Sequence, residues 1–299
     1  MAECLNSALA VHEDRVYFQE AVLFTARATG LSAALVEKDY FCSLLLAYVF
    51  RDIETPVVFR GGTALAKIHA DFYRLSEDLD CVIPTPIRAT RRERSRRIEP
   101  FKEHLDRMVS QSVVFRWLDQ LRGHNYSTQY IGHLGYTPTA YMAAEPAHIK
   151  IEIGLREELL NPPVSEQART LLMDPFRKGP VVPNIKVKTL VRKEAYAEKL
   201  RAALTRRETA IRDFYDIDYA VLNLGLTLND PVLEDYVLKK LKVPFNDPVD
   251  ISPSRKSDLQ SQLETQLKPV LRPRDYERFD LDRAFDLVAA IGLKIQKDL

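Results

Sequence analysis

The sequence is poor in cysteine. It has three in 299 residues, Cys4, Cys42 and Cys81, with no paired metal-ligand spacing. That excludes a disulfide framework and a cysteine-based zinc site, and it suits a reducing cytoplasm. Neither sign of charge is in excess: 43 Lys and Arg stand against 42 Asp and Glu, so any case for a nucleic-acid partner must rest on local clusters. Long apolar runs are missing too. The longest, Phe41 to Phe50, is ten residues between charged neighbours, where a membrane span needs roughly twenty. Met1 to Ala10 has no basic stretch leading into an apolar one, so neither a secretion leader nor a membrane partner is expected.

What is present is enough for a core: 46% of residues are hydrophobic and 28% charged, as in a soluble globular protein, and the length suggests about two domains. From Val16 to Phe50 apolar residues recur at helical spacing, which predicts two helices in a helical lead over residues 1–50. After Pro56, the run Val57-Val58-Phe59 reads as a strand, Gly61-Gly62 as a turn, and Thr63 to Tyr73 as a helix. On that helix Leu65, Ile68 and Phe72 face a core, and Lys67 and Asp71 can face outward. Leu79 to Ile83 is a second strand. Arg88 to Arg97 holds six arginines against one acid, Glu93, and continues with helical tendency to Met108. Tyr126 to Tyr141 is an aromatic and glycine-containing region. His148 to Ile153 alternates strictly, with three isoleucines on one face and His148, Lys150 and Glu152 on the other. Prolines break the chain at Pro162-Pro163 and from Pro175 to Pro183, and from Lys188 onward the pattern is mostly helical. The expected domains are 1–184 and 185–299.

The chemistry concentrates in Ser76-Glu-Asp-Leu-Asp80. On a strand, Asp78 and Asp80 project from one face while Leu79 and Cys81 enter the core. Like charges that close repel unless a cation sits between them, and a hard divalent ion with oxygen ligands, Mg2+ or Mn2+, is the natural occupant. Glu152 supplies a third carboxylate if its strand pairs beside Leu79 to Ile83. Three carboxylates can bridge two ions that clamp the attacking and leaving oxygens of a phosphoryl transfer. Gly61 and Gly62, lacking Cβ atoms, let backbone N–H groups approach a triphosphate, and Thr63 either caps the helix or meets a phosphate oxygen.

Strand, Gly-Gly-Thr, helix, then Asp-x-Asp resembles the signature of the DNA polymerase beta-like nucleotidyltransferases. Gly61-Gly-Thr-Ala-Leu65 through Arg74-Leu-Ser-Glu-Asp-Leu-Asp80 is similar to the AbiEii/AbiGii toxin branch. Glu194-Ala-Tyr-Ala-Glu-Lys199-Leu resembles that family's lysine motif, and Arg206-Arg207 followed by Arg212-Asp213-Phe-Tyr-Asp216 its last acidic motif. Read from its own helix, Lys199 stands at the edge of an apolar stripe of Leu190, Val191, Ala197, Leu200 and Leu204, from which it can reach a phosphate. The resemblance implies that Asp213 orients the site by holding Lys199 or the nucleotide, and Arg207 is a candidate phosphate contact. It also implies an NTP substrate, an acceptor at the 3′ end of tRNA, blocked translation, and a separately encoded AbiEi-like antitoxin.

Each residue also has a plainer reading. Asp78 and Asp80 would pair with Arg60 or Arg74, Glu152 with Lys150, and Asp216 with Arg212, while Lys199 would be a surface lysine. The arginine run is either a solvated helical face or a cradle for an RNA backbone. His69, His133 and His148 have no spacing that suggests zinc, and core or surface roles are expected for them.

The expected fold is α+β: N-terminal helices, a polymerase beta-like core with a small mixed sheet, and a mostly helical C-terminal half, with the site in the cleft between halves. The catalytic candidates are Asp78, Asp80, Lys199 and Asp213; the metal ligands are Asp78, Asp80 and Glu152. Nucleotide contacts fall to Gly61, Gly62, Thr63, Ser76, Lys199 and Arg207. The alternatives are nucleotidyl transfer to a small molecule or a protein hydroxyl, or an inactive module that binds RNA or a partner.

Overall fold

The computed structural model describes residues 10–51, 56–140 and 147–297, so Cys4, the first nine residues and Tyr141 lie outside the described residues. The chain divides into two compact units, Met1–Glu158 with Pro163–Thr189, and Leu159–Pro162 with Leu190–Leu299.

In the first unit the two expected helices are α1 (Arg15–Thr29) and α2 (Ala33–Phe50). Asp14 caps α1 through the Tyr17 amide, Gly30 ends it in the left-handed conformation at φ 74, and Ser32 caps α2 through the Leu35 amide. Buried residues run around all sides of α2, including Val36, Tyr40, Phe41, Leu44 and Leu45, as befits a helix inside a core. Next come β1 (Val58–Arg60), the short helix α3 (Gly61–Ala64) continuing as a π-helical turn over Leu65–His69, and β2 (Leu79–Val82). A Thr90/Glu93 capping box opens α4 (Arg91–Gln111), the helix of the arginine run. The strands β3 (Arg116–His124), β4 (Gln129–Tyr136), β5 (Ala147–Gly154), β6 (Val164–Ala168) and β7 (Ile185–Thr189) complete the unit.

The strands form one mixed seven-stranded sheet in the order β3-β4-β5-β2-β1-β7-β6. The pairs β1/β7 and β2/β5 are parallel and the others antiparallel. One sheet face buries Phe59, Cys81, Leu134, Ile149, Ile151 and Ile153 in a core shared with Leu44 of α2 and Ile98, Phe101 and Leu105 of α4. The opposite face carries Val58 and Val82 and, next to them, Arg60 and the carboxylates.

The α+β class and the mixed sheet match expectation, but the sheet is wider than the sequence suggested. The aromatic, glycine-containing stretch Tyr126 to Tyr141 holds β4, which pairs with β3 just ahead of it. Gly132 and Gly135 interrupt its alternation: a Cβ on Gly132 would lie 3.0 Å from the Asp119 carbonyl oxygen, and one on Gly135 would lie 2.9 Å from the Leu118 side chain. The helix after the glycines ends at His69 rather than Tyr73, and Asp71 and Phe72 adopt φ of 48 and 53. Lys67 is a correction. Expected to face outward, it is buried, with Nζ 2.6 Å from Asp39 Oδ1 and 2.8 Å from Ser43 Oγ. Gly62 to Lys67 are all buried, so this short helix has no solvent side there, and only an ion pair makes the Lys67 charge tolerable.

The second unit is helical among the described residues: α5 (Arg192–Thr205), α6 (Ile211–Leu224), α7 (Pro231–Leu241), α8 (Pro253–Ser261), α9 (Pro273–Glu277) and α10 (Leu281–Ile295). Leu190 and Val191, assigned to the helical stripe from sequence, precede α5, with Val191 as its N-cap, whereas Ala197, Leu200 and Leu204 are buried as expected. Lys240 is buried between Glu194, at 2.9 Å, and Glu198, at 3.1 Å. Glu194 also accepts the Leu160 and Asn161 amides at 2.9 and 3.0 Å, which ties residues 159–162 to α5.

Candidate active site

The antiparallel pairing of β1 with β2 sets Arg60 opposite Asp80, and the parallel pairing of β2 with β5 sets Asp80 opposite Glu152. Three charged side chains therefore stand in one row across the polar face. Asp78, two residues before Asp80 and just ahead of β2, follows on the same face, while Leu79 and Cys81 point into the core at 1% and 0% exposure.

Gly61 begins α3 at φ 77, a left-handed conformation that side chains rarely adopt, and a Cβ there would fall 2.3 Å from Asp80 Oδ2. The glycine is what lets the backbone turn directly over the carboxylate. Gly62 is equally confined: a Cβ would lie 2.4 Å from Arg74 Nη2 and 3.0 Å from Ser76 Oγ. Arg74 is buried and donates from Nη1 to the Leu75 carbonyl at 3.0 Å. Gly154 leaves room for Arg60, whose Nη2 would be 2.5 Å from an added Cβ. Thr63 needs correcting as a helix cap: Arg60 occupies that position, and the buried Thr63 hydroxyl donates to the Asp78 carbonyl at 2.5 Å. It fixes the approach to β2, because a threonine inside the helix spends its hydroxyl on the nearest backbone acceptor.

The electrostatics are lopsided. Burial, then the charges of Glu152 and Asp78, push the Asp80 carboxyl up to about 7, against the opposing pull of Arg60 and Lys150. Burial also works against the charge of Glu152, yet Lys150, Arg60 and the Gln129 amide hold its carboxyl below the ordinary range. Lys150 Nζ is 2.7 Å and Gln129 Nε2 2.5 Å from the Glu152 carboxylate. Despite its own burial, Lys150 is raised by Glu152, Asp78 and Asp80, which marks it as a neighbour of all three acids. The pairing of Glu152 with Lys150 allowed from sequence is present, and Glu152 remains beside Asp80.

Among the described residues no three His, Cys, Asp or Glu side chains form a preformed metal cage. The donor chemistry nevertheless fits a hard divalent cation. The donors are oxygens, and Asp80 carries repulsion from two other carboxylates that Arg60 and Lys150 relieve only in part and an added positive charge would offset.

In the second unit Lys199 on α5 is 2.7 Å from Asp213 Oδ1 and 2.8 Å from Asp216 Oδ2, both on α6. Arg206 adds a contact of 3.3 Å to Asp213 Oδ2. Burial opposes the charge of Asp213, but Lys199 and Arg206 hold its carboxyl below the usual value. The sequence paired Asp216 with Arg212; the fold buries Asp216 completely and gives it to Lys199 instead, across two helices rather than along one. Arg207 is highly exposed, with Asp247 at 3.5 Å.

Two residues that the sequence did not assign to the site support it: Lys67 with Asp39 anchors the turn after α3, and Arg74 backs Gly62.

A search of curated proteins finds no match. Among solved structures, the chain resembles MenT4, a nucleotidyltransferase toxin from Mycobacterium tuberculosis, at 17% identity and a TM-score of 0.55, with 92% of each chain covered. It also resembles a candidate nucleotidyltransferase from H. pylori at 16% identity and a TM-score of 0.50, covering 90% of this chain and 97% of the other. At such identity these likenesses speak for the fold. The sequence itself matches the model of the nucleotidyl transferase AbiEii toxin family, type IV toxin–antitoxin system, over residues 43–290. With its Gly-Gly turn and carboxylate row inside that match, the chain belongs to the AbiEii family and is a nucleotidyltransferase of the toxin–antitoxin type.

Proposed function

We propose that the protein transfers a nucleoside monophosphate from an NTP to the 3′-terminal hydroxyl of an RNA, with tRNA as the leading acceptor, and so blocks translation. The observation that carries this reading is Asp80, crowded by Asp78 and Glu152 directly under the Gly61 turn. The acceptor oxygen bonds to the α-phosphorus, the bond from that phosphorus to the bridging oxygen breaks, pyrophosphate leaves, and the acceptor proton passes to a carboxylate of the cluster.

Asp78 and Asp80 would hold the metal, with Glu152 as a third oxygen donor. Bound there, Mg2+ or Mn2+ neutralises triphosphate charge and favours ionisation of the acceptor hydroxyl. Gly61 and Gly62 admit the triphosphate against the backbone, with Ser76 as a hydroxyl contact, while Thr63 keeps Asp78 in place. Lys199, steadied by Asp213 and Asp216, serves as a point charge for phosphate, and Arg207 as an exposed second one. The work of these residues is positioning and charge compensation, which suffice for a transfer that needs no covalent enzyme intermediate.

An RNA acceptor is supported by the start of α4. Arg88, Arg91, Arg92, Arg96 and Arg97 are exposed there. Arg94 alone turns inward, to the carbonyls of Leu155 and Ile87, each at 3.1 Å. Five exposed guanidinium groups suit a phosphate backbone. No helix among the described residues is long and apolar enough to cross a membrane, and action in the cytoplasm, opposed by an AbiEi-like antitoxin, belongs to the same proposal.

Incubating the purified protein with tRNA, Mg2+ and each labelled NTP tests it. Labelled RNA with at least one nucleotide is expected, and no label with any of them sinks the proposal. Replacing Arg91, Arg92 and Arg96 by Gln should lower RNA labelling about tenfold at moderate salt, because each lost phosphate contact removes about 0.9 from the salt slope. A small-molecule acceptor would leave that variant fully active.

A further inference from the structure

The row that holds the carboxylates continues beyond them. In register across β1, β2, β5, β4 and β3 lie Arg60, Asp80, Glu152, Ile131 and Arg122. One step along the strands, Lys150, His133 and Asp119 follow Asp78, and beyond them stand His148 and Arg116, on either side of Gly135. Their sequence neighbours Ile149, Ile151, Leu134 and Leu121 are buried in the core, so these polar side chains share the opposite face. The His133 and His148 rings meet edge to face at 5.6 Å between centroids, and His133 Nδ1 is 3.4 Å from Asp119 Oδ2. His148, Arg116, Arg122 and His124 are exposed, and His133 is one-third exposed.

We infer that this open face of the sheet is the track on which the unpaired 3′ end of the acceptor RNA lies. The terminal hydroxyl sits at the Asp78/Asp80 end, the preceding bases stack on His148 and His133, and the backbone passes Arg122 and Arg116. The inference rests on the RNA reading above and adds where the acceptor binds and in what form. Strands are spaced about 4.8 Å apart, so β2 and β3, three spacings apart, are about 14 Å from one another. That is room for roughly three or four stacked nucleotides at about 3.4 Å each. A flat sheet surface with ring faces and guanidinium groups is how single-stranded RNA is commonly held, since every base offers a face to stack and every phosphate a charge to meet. A protein-binding face would instead carry a dry apolar centre, and here the apolar side chains on the track reduce to Ile131 and Leu118.

The test uses the full chain and a labelled single-stranded RNA dodecamer with a free 3′-hydroxyl, read by fluorescence anisotropy and by NTP-dependent extension. Replacing His133 and His148 together by Ala should weaken binding about tenfold or more, and replacing both by Phe should restore it, because stacking tolerates any flat ring. A purely structural imidazole would not be rescued so. Changing Arg116 and Arg122 to Gln should flatten the salt dependence by about 1.4, at about 0.7 per single-strand phosphate. Asp80→Asn should abolish extension and keep binding. Wild-type-like binding and extension by both double variants overturns the track while leaving nucleotidyl transfer in place. Weakened binding in the variants, with no extension by the wild type under any NTP, supports the track and removes the transfer reading. If the wild type binds a purified antitoxin through these residues and does not bind the dodecamer, the face is a protein interface and the inference fails.

Discussion

Asp80 offers the sharpest physical test. In the metal-free protein its carboxyl is raised to about 7 by burial and by Glu152 and Asp78, whereas in the unfolded chain an aspartate titrates near 3.9. Below about pH 4 both states carry the proton and folding is not penalised. Between about pH 4 and 7 the unfolded chain releases the proton while the folded chain keeps it, so stability falls as pH rises. Above about 7 both states are ionised and the penalty is constant. A gap of about three pH units at 1.36 kcal/mol each corresponds to about 4 kcal/mol; the side chain is only partly buried by surface area, and solvent screening trims this to about 2–3 kcal/mol. Asp80→Asn removes the penalty at every pH. In EDTA the variant should match the wild type near pH 4 and melt higher at pH 8, by about 3–5 °C for a chain of this size. Saturating Mg2+ should then close the gap by raising only the wild type, by about 2.7 kcal/mol at a hundredfold excess over Kd. Thermal melts at pH 4, 6 and 8, with EDTA or Mg2+, decide it. Parallel pH profiles for the two proteins, or an equal response to Mg2+, would refute the crowded-carboxylate argument.

Two other substitutions probe the remaining elements. Lys199→Ala leaves Asp213 and Asp216 buried with one cation fewer, so urea melts should show a loss of about 3 kcal/mol, partly recovered by adding Asp216→Asn, while transfer falls by about 10²–10³; a variant as stable as the wild type would contradict the ion-pair geometry. Gly61→Ala forces a side chain into positive φ and against Asp80 Oδ2, which should cost about 1–3 kcal/mol and lower transfer at least a hundredfold through displacement of the carboxylate; normal activity in the labelling assay would show that the close approach is dispensable.

What the sequence determined by itself is whatever depends on spacing within one segment. The i, i+2 placement of Asp78 and Asp80, the alternation of His148 to Ile153, the apolar stripes of the helices and the Gly-Gly pair are local, since strand and helix periods fix which side chains share a face. Local reading failed at two places. Lys67 lies on a short helix that is buried on every side and pairs with Asp39, and the glycines of β4 interrupt the alternation of a strand packed close against β3. Only the tertiary structure decided the pairings between distant segments: Asp80 opposite Glu152, Thr63 against the Asp78 carbonyl, and Lys199 between Asp213 and Asp216. Those depend on strand register and helix packing, and on the need of each buried charge for a partner. A one-residue slip of β5 would turn Glu152 to the other face and dissolve the site without altering a single motif.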